Sequence, residues 1–466
     1  MVIGRLADAV TRGVEGVADG VSSVFEPRIR LGVTGLSRAG KTVFITSLVA
    51  NLIDRGRMPG FGPGARIEAA FLQPQPDDTV PRFDYEANLS DLTGPAPRWP
   101  EGTRAVSELR LSFRVRPDGV LGGLRGARMV HLDIVDYPGE WLLDLTLMDK
   151  DYAEWSARAL ARLEVWGAED FLAQVRAEAA DQPLEETRAQ ALAAGYVAAL
   201  QGARDAGAYD LTPGRFLLPG ELEGSPVLTF APLPPGTGPR GSLRREMERR
   251  FEAYKRQVVQ PFFRDHFARL DRQVVLLDVL GAIRRGPRAL EEMREAMEDL
   301  LRAFKPGAIG WLASLLGARR VDRILFVATK ADHLHHEQHG RLTAILEAMV
   351  REARSRADFA GARTAAMSIA SLRTTVEETR PHEGRTLGVV RGRLAETGRE
   401  AAFWPGALPE DPNRLLSPAR AGAEAWLDAD YDVMDFLPAP STLRRGDGPP
   451  HIRLDRVAEF LLGDRL

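Results

Sequence analysis

Residues 35–42 read G-L-S-R-A-G-K-T, a full match to the pattern G-x-x-x-x-G-K-[ST], and the short apolar run 29–34 stands directly before it. The pattern needs glycine because loop N–H groups must close on phosphate oxygens while the next helix turns its positive N-terminal end to the same anion. Beyond Thr42, apolar residues recur at helical spacing over 43–53 and the pattern stops near Gly56. Strand, glycine turn and helix in this order commit the chain to an α/β domain that holds a nucleotide. The composition gives about 0.004 such matches by chance. The chain has only five lysines among its 62 basic residues, and one of them, Lys41, occupies the motif. Ser37, Arg38, Ala39, Gly40, Lys41, Thr42 and Val43 are therefore the expected phosphate contacts. Lys41 is expected to reach the β- and γ-phosphates and the Thr42 hydroxyl to hold Mg²⁺.

Two more motifs fall at the ends of apolar runs. Residues 130–135 read as a strand and lead into Asp136-Tyr137-Pro138-Gly139, the pattern D-x-x-G. Asp136 there can hold Mg²⁺ through water, and Gly139 can offer a backbone N–H to the γ-phosphate. The tetrapeptide is also a good turn, so its weight comes from its place behind a strand and downstream of the phosphate loop. The third motif, Thr329-Lys330-Ala331-Asp332, ends the strand 323–329 and resembles the [NT]-K-x-D signature of guanine-nucleotide-binding proteins. The Asp332 carboxylate can accept from both the N1–H and the exocyclic amine of guanine, whereas adenine has no matching donor pair. Lys330 is expected to lie across the base and brace the phosphate loop, and His333 joins the base contacts. The competing role for Asp332 is a helix N-cap. After the next strand, 363–370, Ala370 and Ser371 stand where a backbone N–H would meet guanine O6. A switch threonine that senses Mg²⁺ and γ-phosphate is expected ahead of the D-x-x-G strand. Thr103 takes that role, with Thr79 and Thr93 as competitors.

The loop with its continuation V-F-I-T-S-L, the segments R-W-P-E-G-T, D-Y-P-G-E-W and T-K-A-D-H, and the ending H-I-R-L-D-R together resemble the YcjX-like family of bacterial P-loop GTPases, nearly end to end. The resemblance implies a domain that binds GTP or GDP with Mg²⁺, an inserted helical subdomain and an association with stress responses. In Ras-like enzymes a glutamine after D-x-x-G orients the attacking water. Here Glu140 stands in that place, and a carboxylate beside a γ-phosphate is electrostatically unfavourable. Slow intrinsic hydrolysis follows, with Lys41, Thr103, Gly139 and Glu140 as the candidate catalytic residues. Arg38 is either an arginine supplied in cis or a residue turned to solvent or to a switch carboxylate.

Alternating strands and helices predict a mostly parallel sheet covered on both faces, in the P-loop GTPase manner, with an all-α insertion and a small C-terminal one. At 466 residues the chain exceeds one ordinary domain. The expected division is an amphipathic helix at 1–26, the first part of the GTPase domain at 27–150, a helical insertion at 151–270, the second part at 271–375, a loop- and strand-rich insertion at 376–450 and a closing helix at 451–466. The Pro- and Gly-rich stretch 58–100 reads as a long loop over the nucleotide. A net charge of −3 gives no reason to expect nucleic acid as a partner, and zero cysteines exclude disulfides and thiolate metal sites. The expected partners are a guanine nucleotide and an unidentified protein, in the cytoplasm. The polar face of the 6–25 helix mixes both charges, so packing on the body is expected before weak peripheral membrane contact. His335 and His339, at i and i+4, raise a metal site, against which a solvated helix start is the expected reading. A GDP/GTP-gated scaffold without useful turnover is the alternative to a GTPase. A small-molecule kinase would leave the guanine motif unexplained.

Overall fold

Along the central strands, alternate apolar residues face opposite sides, and this period of two builds a core on both faces of one sheet. The computed structural model describes residues 26–36, 38–102, 105–117, 126–179, 181–266, 269–302, 321–359, 361–426, 431, 433–440, 444 and 446–466. The expected helix at 6–25, Ser37 and Thr103 lie outside the described residues.

In chain order the first elements are β1 (Arg28–Gly35), α1 (Lys41–Ile53), β2 (Ile67–Gln73), α2 (Tyr85–Thr93), β3 (Ser107–Val115), β4 (Arg128–Asp136) and α3 (Gly139–Leu143). A helical stretch follows, with α4 (Tyr152–Val165), α5 (Glu169–Arg176), α6 (Glu186–Ala206), α7 (Leu243–Tyr254) and α8 (Gln260–Asp265). The sheet resumes with β5 (Arg272–Leu277), α9 (Val279–Arg284), α10 (Pro287–Arg302), β6 (Arg323–Ala328), α11 (His339–Met349), α12 (Arg351–Phe359) and β7 (Arg363–Ser368). The rest comprises β8 (Val376–His382), β9 (Arg385–Arg393), β10 (Glu400–Phe403), α13 (Asn413–Arg420) and α14 (Leu454–Leu462).

Among the described residues the main sheet has the order β2–β3–β4–β1–β5–β6–β7. β3 runs antiparallel to β2 and β4, and the other neighbours are parallel. Leu31, Val33, Val274, Leu276, Leu325 and Val327 pack one face against α1 and α14. Val275, Leu277, Phe326 and Ala328 face the other way, into a cluster that also contains the aromatic core of α4 to α8. The helical stretch therefore shares a continuous apolar core with the sheet. Burial of this kind stabilises by about 25 cal/mol per Å² of apolar surface.

The stretch 58–100, expected as one long loop, contributes both β2 and α2, and Met58, Phe61, Ile67, Phe83 and Tyr85 enter the core. β2 escapes sequence reading because it is an edge strand: only Ile67 of its seven residues is buried, and it is held by backbone pairing to β3. The helix expected over 155–180 breaks after Val165, where Gly167 takes a left-handed φ of 70°. The strand-like pieces near 384–390 form a three-stranded antiparallel sheet, β10–β9–β8. No helix among the described residues is long and apolar enough to cross a membrane.

Candidate nucleotide site

β1 delivers the phosphate loop at its C-terminal end. Arg38 and Gly40 both adopt left-handed backbone, φ 65° and 79°, and so turn successive N–H groups inward. Ala39 donates to the Leu36 carbonyl at 3.1 Å and Phe44 to the Gly40 carbonyl at 2.9 Å, which closes the turn onto α1. The first turn of α1 carries no acidic side chain, so its positive end is left for an anion. The Lys41 ammonium donates to the Gly35 carbonyl at 3.3 Å. The Thr42 hydroxyl donates to the Glu101 carbonyl at 3.4 Å, which draws residues 99–102 over the loop.

Asp136 ends β4 in register with Val33 of the adjacent β1 and is buried. Gly139 lies against the loop's first residue so closely that an added Cβ would overlap the Gly35 carbonyl. Only glycine fits there. The Thr42 hydroxyl in the first turn of α1 and the Asp136 carboxylate at the end of β4 are the kind of hard oxygen that Mg²⁺ takes.

At the other end, β6 runs into Lys330, whose φ of 61° turns the chain so that Asp332 faces the same cavity. Thr374 clamps Asp332, donating to Oδ2 from its N–H at 2.8 Å and from its hydroxyl at 2.7 Å. The Thr375 hydroxyl donates to the Asp332 carbonyl. His333 stands edge-on to Phe436, ring centroids 5.1 Å apart, and burial holds its imidazole below the usual range. The Trp99 indole donates to the Phe436 carbonyl at 2.9 Å, which joins the two segments that cover the site. Between them lies a cavity of about 630 Å³, a size common for small-molecule sites.

Arg38, Ala39, Gly40, Lys41, Thr42 and Val43 line this cavity together with Lys330, Asp332, His333 and Ser371. Asp136, Gly139 and Glu140 do not line it. Two expectations need correction. Ala370 has no N–H to give a base, because it donates to the Ile452 carbonyl at 3.2 Å in a two-way bridge with the segment before α14; Ser371 alone of the pair reaches the cavity. Lys330 pairs with Asp278 at 2.8 Å and with Asp435 at 3.7 Å, and among the described residues it makes no hydrogen bond to the phosphate loop. Burial alone would lower the Lys330 pKa, but Asp278 overrides it and the net shift is upward. Trp99, Asp278, Asp435 and Phe436 were not identified as site residues from the sequence. Asp278 carried a usable signal, as the lone carboxylate in the apolar run 273–280; Phe436 carried none.

α3, directly behind the D-x-x-G motif, is fastened to the helical stretch. The Trp141 indole donates to the Leu218 carbonyl at 3.0 Å, and the Arg215 guanidinium lies 3.2 Å from the Trp141 ring centre. Just after α3, Asp144 accepts from the Gly214 N–H at 2.7 Å and from the Tyr254 hydroxyl at 2.5 Å. Burial pushes its carboxyl from 3.8 up to about 7, against the opposing pull of those two donors.

A phosphate loop after β1, a buried carboxylate at the end of neighbouring β4 and T-K-x-D after β6, on a mostly parallel sheet, define the α/β fold of the P-loop GTPases. The model of the YcjX-like family, DUF463, matches residues 29–466, and the chain belongs to that family. It is similar to the protein named Ras-like GTPase YcjX of Escherichia coli strain K12, with 34% identity over 461 residues, 94% of this chain and 96% of the relative. It is also similar to the Ras-like GTPase YcjX of Shewanella oneidensis strain MR-1, with 34% identity over 468 residues, 94% of each chain.

Proposed function

We propose that this chain binds GTP and GDP with Mg²⁺, hydrolyses GTP slowly, and passes its nucleotide state to the helices between β4 and β5. The observation that carries the reading is a single cavity reaching from Lys41 and Thr42 to Asp332. Phosphates bind the N–H groups of the loop and the start of α1, with Lys41 leaving Gly35 for their oxygens. Thr42 and Asp136 hold Mg²⁺, which when bound neutralises charge on the β- and γ-oxygens. Asp332, oriented by Thr374, accepts the N1–H and amine of guanine. Names given to the relatives support guanine nucleotides as the ligand class. We assign the chain to the cytoplasm and, from its family resemblance, to stress physiology with a protein partner.

Calorimetric titration with GDP and ADP, with and without Mg²⁺, tests the reading, and Asp332→Asn tests the base contact. That variant exchanges an acceptor for a donor, so guanine binding falls and xanthine binding rises. Unchanged preference for guanine over xanthine refutes the assignment of Asp332. One feature favours the second reading, a nucleotide-gated scaffold: Glu140 stands in the water-orienting place but not on the cavity wall. Single-turnover phosphate release no faster than that of Lys41→Ala decides for the scaffold.

A further inference from the structure

The four histidines behind Asp332 do not form a solvated helix start. His333, His335 and His339 are buried and only His336 is exposed, because the hairpin of β8 and β9 covers the loop that carries them. His339 is not paired with His335 across a helix face; its ring instead meets the Leu334 carbonyl at 3.2 Å, and α11 begins only at His339.

We propose that His335, His336 and Glu377 form a binding site for a divalent transition metal of the zinc class. One ligand atom from each lies within 4.8 Å of the other two. His336 Nδ1 is 2.5 Å from Glu377 Oε2, and His335 Nε2 is 3.9 Å from the same oxygen. A four-coordinate ion with bonds of about 2.0–2.1 Å sets its ligand atoms roughly 3.4 Å apart. The first separation must open and the second close, each by less than about 1 Å, and water completes the shell. Two imidazoles and one carboxylate are a donor set that suits zinc rather than magnesium or calcium.

The surroundings are those of a built site. His335 is 5% exposed; its Nδ1 is buried without a hydrogen bond, 3.4 Å from the Glu337 carboxylate, and its Nε2 is the ring nitrogen that faces Glu377. Arg373 reaches Glu377 Oε1 at 3.4 Å, which leaves Oε2 for the ion. Gly388 of β9 is what admits the His335 ring, since an added Cβ would come within 2.7 Å of it. An ion here ties β8 to the loop after β6, the same two regions that Thr374 and Thr375 join around Asp332.

The test uses the full chain without an affinity tag, loaded with Mg²⁺ and GDP and titrated with Co²⁺ and, by calorimetry, with Zn²⁺. One equivalent binds, and cobalt develops visible d–d bands of low coordination number. His336→Ala and Glu377→Gln each weaken binding about 10- to 100-fold, while unchanged GDP affinity confirms that both variants are folded. Gly388→Ala, which crowds the His335 ring from the opposite side, weakens binding as well. Absence of the bands, or variants that bind metal as the parent does, overturns the proposal and leaves His336 and Glu377 as a simple hydrogen-bonded pair.

Discussion

Asp144→Asn is expected to make the protein more stable in neutral buffer, and to do so by an amount that depends on pH. The Asp144 carboxyl is buried between the Gly214 N–H and the Tyr254 hydroxyl. Its pKa rises from 3.8 to about 7 on folding. The folded state therefore holds the proton more tightly than the unfolded chain. The stability it contributes is fully present below 3.8, and it is lost as pH climbs to about 7 and flat beyond. At 1.36 kcal/mol for each step in pKa, the total is about 4 kcal/mol, of which about 2–3 kcal/mol falls between pH 5 and 8. Asparagine keeps both partners, accepting from Gly214 and donating to Tyr254, and carries no proton to lose. The difference in urea unfolding free energy, variant minus parent, should then grow by about 2–3 kcal/mol from pH 5 to 8 and level off above pH 7. Glu292, which burial also raises to about 7, contributes equally to both proteins and cancels. A difference that stays flat across this range refutes the buried, proton-holding Asp144.

Gly139→Ala drives a Cβ into the Gly35 carbonyl, so about 1–3 kcal/mol of overpacking strain is expected, read as a lower unfolding midpoint, with weakened discrimination of GTP from GDP. Trp99→Ala removes the hydrogen bond to the Phe436 carbonyl; a loss of about 0.5–1.5 kcal/mol speeds release of a fluorescent GDP roughly 3- to 10-fold in stopped flow. Trp141→Ala deletes the ring beneath Arg215 and the bond to Leu218, and should lower unfolding free energy by about 3–5 kcal/mol in urea titration.

What sequence reading captured of this fold is what short-range chemistry dictates. Residues 35–42 turn from β1 into α1 where that octapeptide follows a strand, and runs such as Val274 to Leu277 are apolar on both faces because both faces are covered. β2 stayed hidden because an edge strand needs backbone partners rather than an apolar face. Phe436 is brought to Trp99 and His333 across more than a hundred residues, and no local pattern announces such a contact. Lys330 is the instructive miss. Its place in the motif fixed where its backbone goes, but the partner of its ammonium was decided by Asp278, directly after the neighbouring strand β5.

The position of the helical stretch gives the D-x-x-G segment a mechanical consequence. Gly139 is held against Gly35 with no room for a methyl group, while two residues later Trp141 is sandwiched by Arg215 and tied to Leu218. Gly214 is itself packed so closely on the Glu140 carbonyl that an added Cβ would overlap it. The backbone from 139 to 144 thus touches the phosphate loop at one end and the helical stretch at the other, and α3 between them is barely longer than one turn. Under the proposed function, a γ-phosphate that drew the Gly139 N–H inward would find little slack before Trp141 and Asp144 had to move or their bonds to Leu218, Gly214 and Tyr254 had to stretch. Close packing of this kind resists gradual deformation, so displacement at Gly139 favours a discrete second arrangement of the helices over a smooth one.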